Sequence, residues 1–162
     1  MGPLPKVVEV TSRSPEETQR LGVALGKAAQ PGDVFLLTGE LGTGKTCLTQ
    51  GIAWGLEVKE YAFSPSFVLV REYRGRLTLY HMDFYRLERV EEIADLGLDD
   101  YFYGKGVCVV EWADRALSTL PPEHLLVDIR HLSETERTLT LTPKGQRARE
   151  ILRSLRSEME SQ

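Results

Sequence analysis

The stretch Gly39-Glu40-Leu41-Gly42-Thr43-Gly44-Lys45-Thr46 satisfies the pattern G-x-x-x-x-G-K-[ST] at every fixed position. Its flanks agree with it. Val34-Phe35-Leu36-Leu37 is a continuous apolar run, as expected of a strand buried on both faces. The residues after the loop predict a helix over 45–54. A strand, a glycine-rich turn and a helix in this order confine the chain to a layered α/β fold of the P-loop NTPase kind. The spacing has a chemical reason. Gly42 and Gly44 permit backbone conformations that turn successive N–H groups inward, making a nest for phosphate oxygens. A helix starting near Lys45 aims the positive end of its dipole at the same anion. Lys45 adds a full charge at the β- and γ-phosphates, and the Thr46 hydroxyl suits Mg2+. Lys45 is read as an exposed loop lysine that carries little packing. Glu40, an acid beside a polyanion site, is read as pointing outward or toward the reacting end. A chance glycine turn before a helix is the bland alternative, and the flanking context weighs against it.

The remaining segments read as a mixture of strands and helices. Val7 to Val10 forms a short strand. Ser14-Pro15-Glu16-Glu17 starts a helix, with Ser14 as cap, Pro15 at the first position and Glu17 completing a capping box. Leu21, Ala24, Leu25 and Ala28 then share one face, and Gly22 and Gly26 allow close packing. Residues 67–73 and 77–82 predict a hairpin around Arg74-Gly75-Arg76. Residues 90–96 predict a helix, 107–110 a second buried strand, and 113–117 a short helix before Pro121-Pro122. Residues 124–130 and 137–142 alternate polar and apolar and form a second antiparallel pair. A final helix over about 144–158 carries Ala148, Ile151, Leu152, Leu155 and Met159 on one stripe. The expected fold is a mixed, mainly parallel central sheet with added antiparallel hairpins. Residues 1–162 are expected to form one domain, because 162 residues split in two would leave neither half a proper core.

Three further places carry candidate chemistry. Glu111 follows the second buried run, where a carboxylate at the carboxyl end of a strand anchors Mg2+ in many P-loop proteins. It is Glu rather than the commoner Asp, so it can bind the ion directly, bind through water, or polarise the attacking water; a merely solvated strand end is the alternative. In His81-Met82-Asp83-Phe84-Tyr85-Arg86, an extended backbone sets His81, Asp83 and Tyr85 on one face. Asp83 then helps hold Mg2+ or position water, or else only pairs with Arg or His. Ser64-Pro65-Ser66 lies in a loop after the P-loop helix, where a hydroxyl can reach a γ-phosphate or Mg2+, though such a tripeptide is often only a turn.

Composition narrows the partners. With 20 Lys and Arg against 24 Asp and Glu, the net charge is −4, which argues against an autonomous nucleic-acid binder; no DNA partner is expected. No apolar run approaches the roughly 18 residues of a membrane span, and the amino terminus lacks the apolar stretch of a signal peptide. Cys47 and Cys108, without metal-ligand spacing, fit reduced thiols in a cytoplasmic protein.

Taken together, the loop at 39–46, Ser64-Pro65-Ser66-Phe67 with Glu72-Tyr73, His81-Met82-Asp83-Phe84-Tyr85-Arg86-Leu87 and Val110-Glu111-Trp112 resemble the bacterial TsaE (YjeE) family in order and interval, from about Ser14 to Arg137. The resemblance implies an ATPase, slow alone and dependent on partners, of the pathway that adds threonylcarbamoyl to adenosine 37 of tRNAs reading codons that begin with A. It implies TsaD and TsaB as partners, with tRNA met indirectly through their complex, and it implies that the chain is not itself the transferase. By that pattern ATP or ADP is held with Mg2+. Thr46 and Glu111 bind the ion, Asp83 is needed for hydrolysis, Trp112 lies near the nucleotide, and Pro15 and Thr18 border the adenine. Arg137 touches the nucleotide as well. Ser66 stands where the family usually has Thr, and Cys47 where it usually has Thr or Ser; Ser66 keeps the hydroxyl and Cys47 keeps its backbone N–H. A small-molecule P-loop kinase is the competing reading, although Arg71, Arg74 and Arg76 cluster in a hairpin and not in a helical lid. A GTP switch lacks both D-x-x-G and N-K-x-D, and a nucleotide sensor that never hydrolyses is the non-enzyme alternative.

Overall fold

The computed structural model describes residues 6–40, 42–61, 70–85, 87, 89, 91–92 and 97–160. In chain order the elements are β1 (Val8–Ser12), α1 (Pro15–Ala28), β2 (Val34–Thr38), α2 (Lys45–Gly55), β3 (Val70–Arg74), β4 (Thr78–Asp83), α3 (Asp99–Phe102), β5 (Val107–Glu111), two 3-10 turns (Ala113–Arg115 and Leu117–Thr119), β6 (His124–His131), β7 (Arg137–Lys144) and α4 (Gln146–Glu160). All seven strands join one sheet in the order β1-β7-β6-β2-β5-β4-β3. The inner four, β6, β2, β5 and β4, run parallel. β3, β7 and β1 are added antiparallel at the two sides.

The apolar runs go where their pattern requires. Every residue of β2 and of β5 is buried, because helices cover one face of these strands and shorter segments the other. On the first face α1, α2 and α4 pack over Phe35, Leu37, Val109, Leu125, Val127 and Ile129. On the second, Phe84, Leu98, Phe102 and Leu120 pack against Leu36, Met82, Cys108 and Val110. The carboxyl ends of β2, β5 and β4 therefore open side by side at one edge, with α2 starting just above them.

α1 begins as its sequence predicts. The Glu17 N–H donates to Ser14 Oγ at 3.1 Å, while Glu17 Oε2 accepts from the Arg13 N–H at 2.7 Å, so the returning half of the box lands one residue earlier than expected. Gly22 and Gly26 do allow close packing, and their partners are Gly51 and Gly55 of α2. A Cβ built on Gly22 would lie 2.4 Å from the Leu48 carbonyl oxygen, and one on Gly26 2.3 Å from that of Ile52. Backbone meets backbone along this seam.

Several boundaries differ from expectation. The first strand reaches Ser12, whose buried Oγ lies 2.7 Å from Thr18 Oγ1. The predicted hairpin at 67–82 is present as β3 and β4, but β4 also pairs in parallel with β5, which makes it part of the central sheet. The helix expected over 113–117 is two 3-10 turns broken at Ala116, whose φ of −153° is extended. The last helix starts at Gln146, because Pro143 and Lys144 pair with Leu125 and His124 and Gly145, at φ 97°, turns the chain after them. Of the helix expected over 90–96, residues 91 and 92 are helical and the others lie outside the described residues. So do Leu41, Ser64-Pro65-Ser66-Phe67, Arg86 and the side chain of Met159.

Candidate functional site

The glycine loop turns as its sequence requires. Gly39, Gly42 and Gly44 hold φ of 138°, 78° and 111°, conformations open to a residue without Cβ. Gly44 caps α2 in the left-handed region with no side chain over it, so the first N–H groups of the helix are left facing the loop. The Thr43 hydroxyl donates to the Glu40 carbonyl at 2.8 Å, tightening the turn. Glu40 is exposed, as expected.

Lys45 is not the exposed residue its position suggests: it is 5% exposed. Its Nζ donates to the carbonyls of Gly39 at 2.6 Å and Glu40 at 2.7 Å and sits 4.0 Å from the centre of the Trp112 ring. Burial pushes the ammonium below its ordinary pKa, and the nearby carboxylates of Glu111, Asp114, Asp83 and Asp128 pull part of that back. Trp112 reaches this position through a left-handed backbone at φ 59°, a conformation sparsely populated by a bulky residue. The turn swings the chain sharply off β5 and lays the indole over the lysine. Tyr85 packs on the same indole, ring centres 4.9 Å apart.

Beneath the lysine, three elements converge. Glu111 ends β5, Asp83 ends β4 directly opposite it in the parallel register, and Thr46 opens α2. Both carboxylates are buried. Thr46 Oγ1 donates to Glu111 Oε1 at 3.1 Å, and Thr49 Oγ1, one turn along α2, lies 3.4 Å from Oε2. Asp83 Oδ1 accepts from the Tyr85 N–H at 2.9 Å. His81, fully buried on the same face of β4, bonds through Nε2 to Glu111 Oε2. The donors here are two carboxylates and a hydroxyl, all hard oxygens, which fits Mg2+ shared with a phosphate chain. Among the described residues no group of three or more His, Cys, Asp or Glu forms a cage for a metal ion.

The other predicted residues gather on the far side of the loop. Pro15, Thr18, Gly42, Gly44, Cys47 and Arg137 line one cavity of about 470 Å³, together with Glu134 and Thr135 of the β6–β7 turn. The Cys47 thiol donates to the Pro15 carbonyl at 3.3 Å, and burial, followed by Glu16, raises its pKa. The Arg137 guanidinium also bonds the protein itself. Its Nε donates to the Thr43 carbonyl at 3.1 Å, and another nitrogen to the Glu136 carbonyl at 2.9 Å. It ties the β6–β7 turn to the phosphate loop, a tie with no signal in the local sequence. A second cavity, about 670 Å³, lies beyond Gly39 and Glu40 and is lined by Trp112, Asp114, Leu117, Asp128 and Arg130 among others. Burial pushes Asp128 up, but the Thr38 hydroxyl at 2.7 Å and Arg130 outweigh it and hold this carboxyl below its ordinary value.

Sequence reasoning missed Thr49 as a partner of Glu111, the pairing of His81 with Glu111, and Asp128. The i, i+2 spacing of His81 and Asp83 was the available signal for the second and the i, i+3 spacing of Thr46 and Thr49 on one helix for the first; Asp128 depends on β6, which is distant in sequence.

The family model described as threonylcarbamoyl adenosine biosynthesis protein TsaE matches residues 12–139. The chain is 44% identical over 130 residues to the tRNA threonylcarbamoyladenosine biosynthesis protein TsaE of Treponema pallidum (strain Nichols), covering 80% of this chain and 96% of that one. It is 47% identical over 135 residues to the protein of the same name from Bacillus subtilis (strain 168), covering 83% and 84%. Its fold is similar to the crystal structure of Bacillus subtilis YdiB, with a TM-score of 0.84 at 39% identity over 95% of this chain and 97% of that one.

Proposed function

The chain belongs to the TsaE family of threonylcarbamoyl adenosine biosynthesis proteins, and on that premise we propose that it is a Mg2+-dependent ATPase serving the TsaB–TsaD pair in the modification of tRNA adenosine 37. It is one cytoplasmic domain, it is not the transferase, and it meets tRNA through the complex. Its turnover is slow alone and rises with its partners.

The observation that carries the ATPase reading is the 3.1 Å contact of Thr46 with Glu111 beside a complete phosphate loop. The N–H groups from Gly42 to Thr46 take the phosphate oxygens, with Cys47 continuing the row. Lys45 exchanges the carbonyls of Gly39 and Glu40 for the β- and γ-phosphates. Thr46, Glu111 and Asp83 are the residues that hold Mg2+, which when bound neutralises charge on the phosphate chain. The two buried carboxylates also orient the attacking water. Pro15 and Thr18 border the adenine, Arg137 stiffens the loop beside it, Trp112 covers the phosphate end, and the Ser66 hydroxyl senses the γ-phosphate.

The test is steady-state phosphate release with and without TsaB and TsaD. Glu111→Gln and Asp83→Asn keep shape and remove charge, so each is expected to bind ADP and to lose ATP turnover by about a hundredfold. Wild-type turnover by both variants in the full complex sinks the assignment. A small-molecule kinase is the second reading, favoured by the 670 Å³ cavity beyond Glu40. It requires the γ-phosphate of labelled ATP to appear on an organic acceptor instead of as inorganic phosphate.

A further inference from the structure

Glu111 carries more freedom than the aspartate that commonly ends such a strand. An extra methylene adds a torsion, and a buried carboxylate must find partners for both oxygens. The structure divides the two oxygens. Oε1 faces the loop and accepts from Thr46 at 3.1 Å. Oε2 faces the sheet, where Thr49 Oγ1 lies 3.4 Å away and the His81 ring meets it edge-on. Thr49 Oγ1 is closer to the Lys45 carbonyl, at 2.9 Å, so the main hold on Oε2 comes from the histidine.

His81 is placed for this by the sheet. It lies opposite Val109 in the parallel register of β4 and β5, two residues before Asp83 on the same face, and is 0% exposed. Paired with a carboxylate, which can only accept, the His81 ring is the donor of this bond through Nε2. The opposite nitrogen, Nδ1, is buried with no hydrogen-bond partner among the described residues. A histidine kept only to fill a core would ordinarily satisfy both nitrogens or be replaced by an apolar side chain. Here one edge is left bare while the other meets the carboxylate.

We propose that His81 is a positioning residue of the nucleotide site: by holding one oxygen of Glu111 against the sheet, it presents the other beside Thr46, where Mg2+ arrives with the phosphates. The role is geometric and does not require the ring to gain or lose a proton. It rests on the ATPase reading given above. Partners that orient a metal-binding carboxylate in this way typically change metal affinity by about 10–100-fold when removed.

The experiment follows ADP binding through the fluorescence of Trp112, in a Trp54→Phe background that leaves Trp112 as the single indole. Mg2+ is titrated into the ADP complex of the parent and of three variants. His81→Leu fills the space without a donor. His81→Asn keeps an amide near the ring's Nδ1 but ends short of Glu111. His81→Gln carries its amide nitrogen out to the position of Nε2. The expected result is a 10–100-fold rise in the Mg2+ needed for half-saturation in the Leu and Asn variants. The Gln variant should restore most of the loss, and Mg2+-free ADP affinity should stay the same in all four proteins. A Mg2+ response in Leu and Asn equal to the parent's overturns the proposal. So does a urea titration in which neither of those two folds, which would make His81 a residue of the fold alone. If the parent itself binds ADP with no response to Mg2+, the reading of the site fails, and this inference falls with it.

Discussion

Gly51→Ala sets two elementary effects against each other. On helix propensity alone, alanine for glycine inside α2 stabilises by about 0.5–1 kcal/mol. The packing says the reverse. A Cβ at this position falls 2.2 Å from the Gln19 carbonyl oxygen and 2.9 Å from Gly22 Cα. Both obstacles are backbone, so no rotamer change relieves them, and α1 must withdraw from α2 by roughly 1 Å. Overpacking of this kind costs about 1–3 kcal/mol, and because the obstacles are backbone the upper part of that range applies, which leaves a net loss of up to about 2.5 kcal/mol after the propensity gain. For a chain of this size each kcal/mol lowers the melting temperature by about 2–4 °C. The effect should also reach the nucleotide, because Pro15 and Thr18 of α1 face Gly44 and Cys47 across the same cavity. ADP affinity is expected to fall severalfold, short of the tenfold that about 1.4 kcal/mol would give. Urea unfolding and calorimetric titration of ADP read the two effects. A variant as stable as wild type, or more so, refutes the argument that backbone contact sets this helix pair.

Lys45→Ala removes the loop's cation together with its bonds to Gly39 and Glu40; calorimetry should find ATP affinity sharply reduced, and urea unfolding a loss of only about 0.5–1.5 kcal/mol, since the Glu40 carbonyl keeps the Thr43 hydroxyl as a donor. ATP should outcompete GTP, and equal affinity in a competition titration would count against Pro15 and Thr18 as an adenine border. Under native conditions an alkylating reagent should modify Cys47 slowly and spare Cys108, whose thiol is buried and pushed up to about 12. ADP should protect Cys47, and equal rates with and without ADP, followed by mass spectrometry, would remove that residue from the nucleotide cavity. Asp128 titrates below its ordinary 3.8 in the folded protein, so its stabilisation is complete above that value and is lost as pH falls through the lower folded one. Asp128→Asn should cost about 0.5–1 kcal/mol at pH 7, since Arg130 is largely exposed, and the two proteins should converge in urea titrations at more acid pH.

Much of the architecture was legible because it rests on local signals. The loop at 39–46 dictates its own conformation through glycines that tolerate positive φ. The unbroken apolar runs of β2 and β5 can be buried only between two layers, and Ser14-Pro15 starts α1 through contacts within four residues. Relations between distant segments had no such signal. The β-rich run 77–82 describes a hairpin strand but not its second neighbour, and only the assembled sheet sets β4 beside β5 and so brings His81 and Asp83 to Glu111. Arg137 reads as a single charge at the start of a strand, yet the return of β7 carries it to the carbonyls of the phosphate loop. Lys45 looked exposed because loops usually are; Trp112, thrown back by a left-handed turn, buries it. Local sequence specifies torsions and hydrophobic faces, which act over a few residues. The meeting of side chains from β4, β5 and α2 is set by strand order and register, which arise when the whole chain closes over one core.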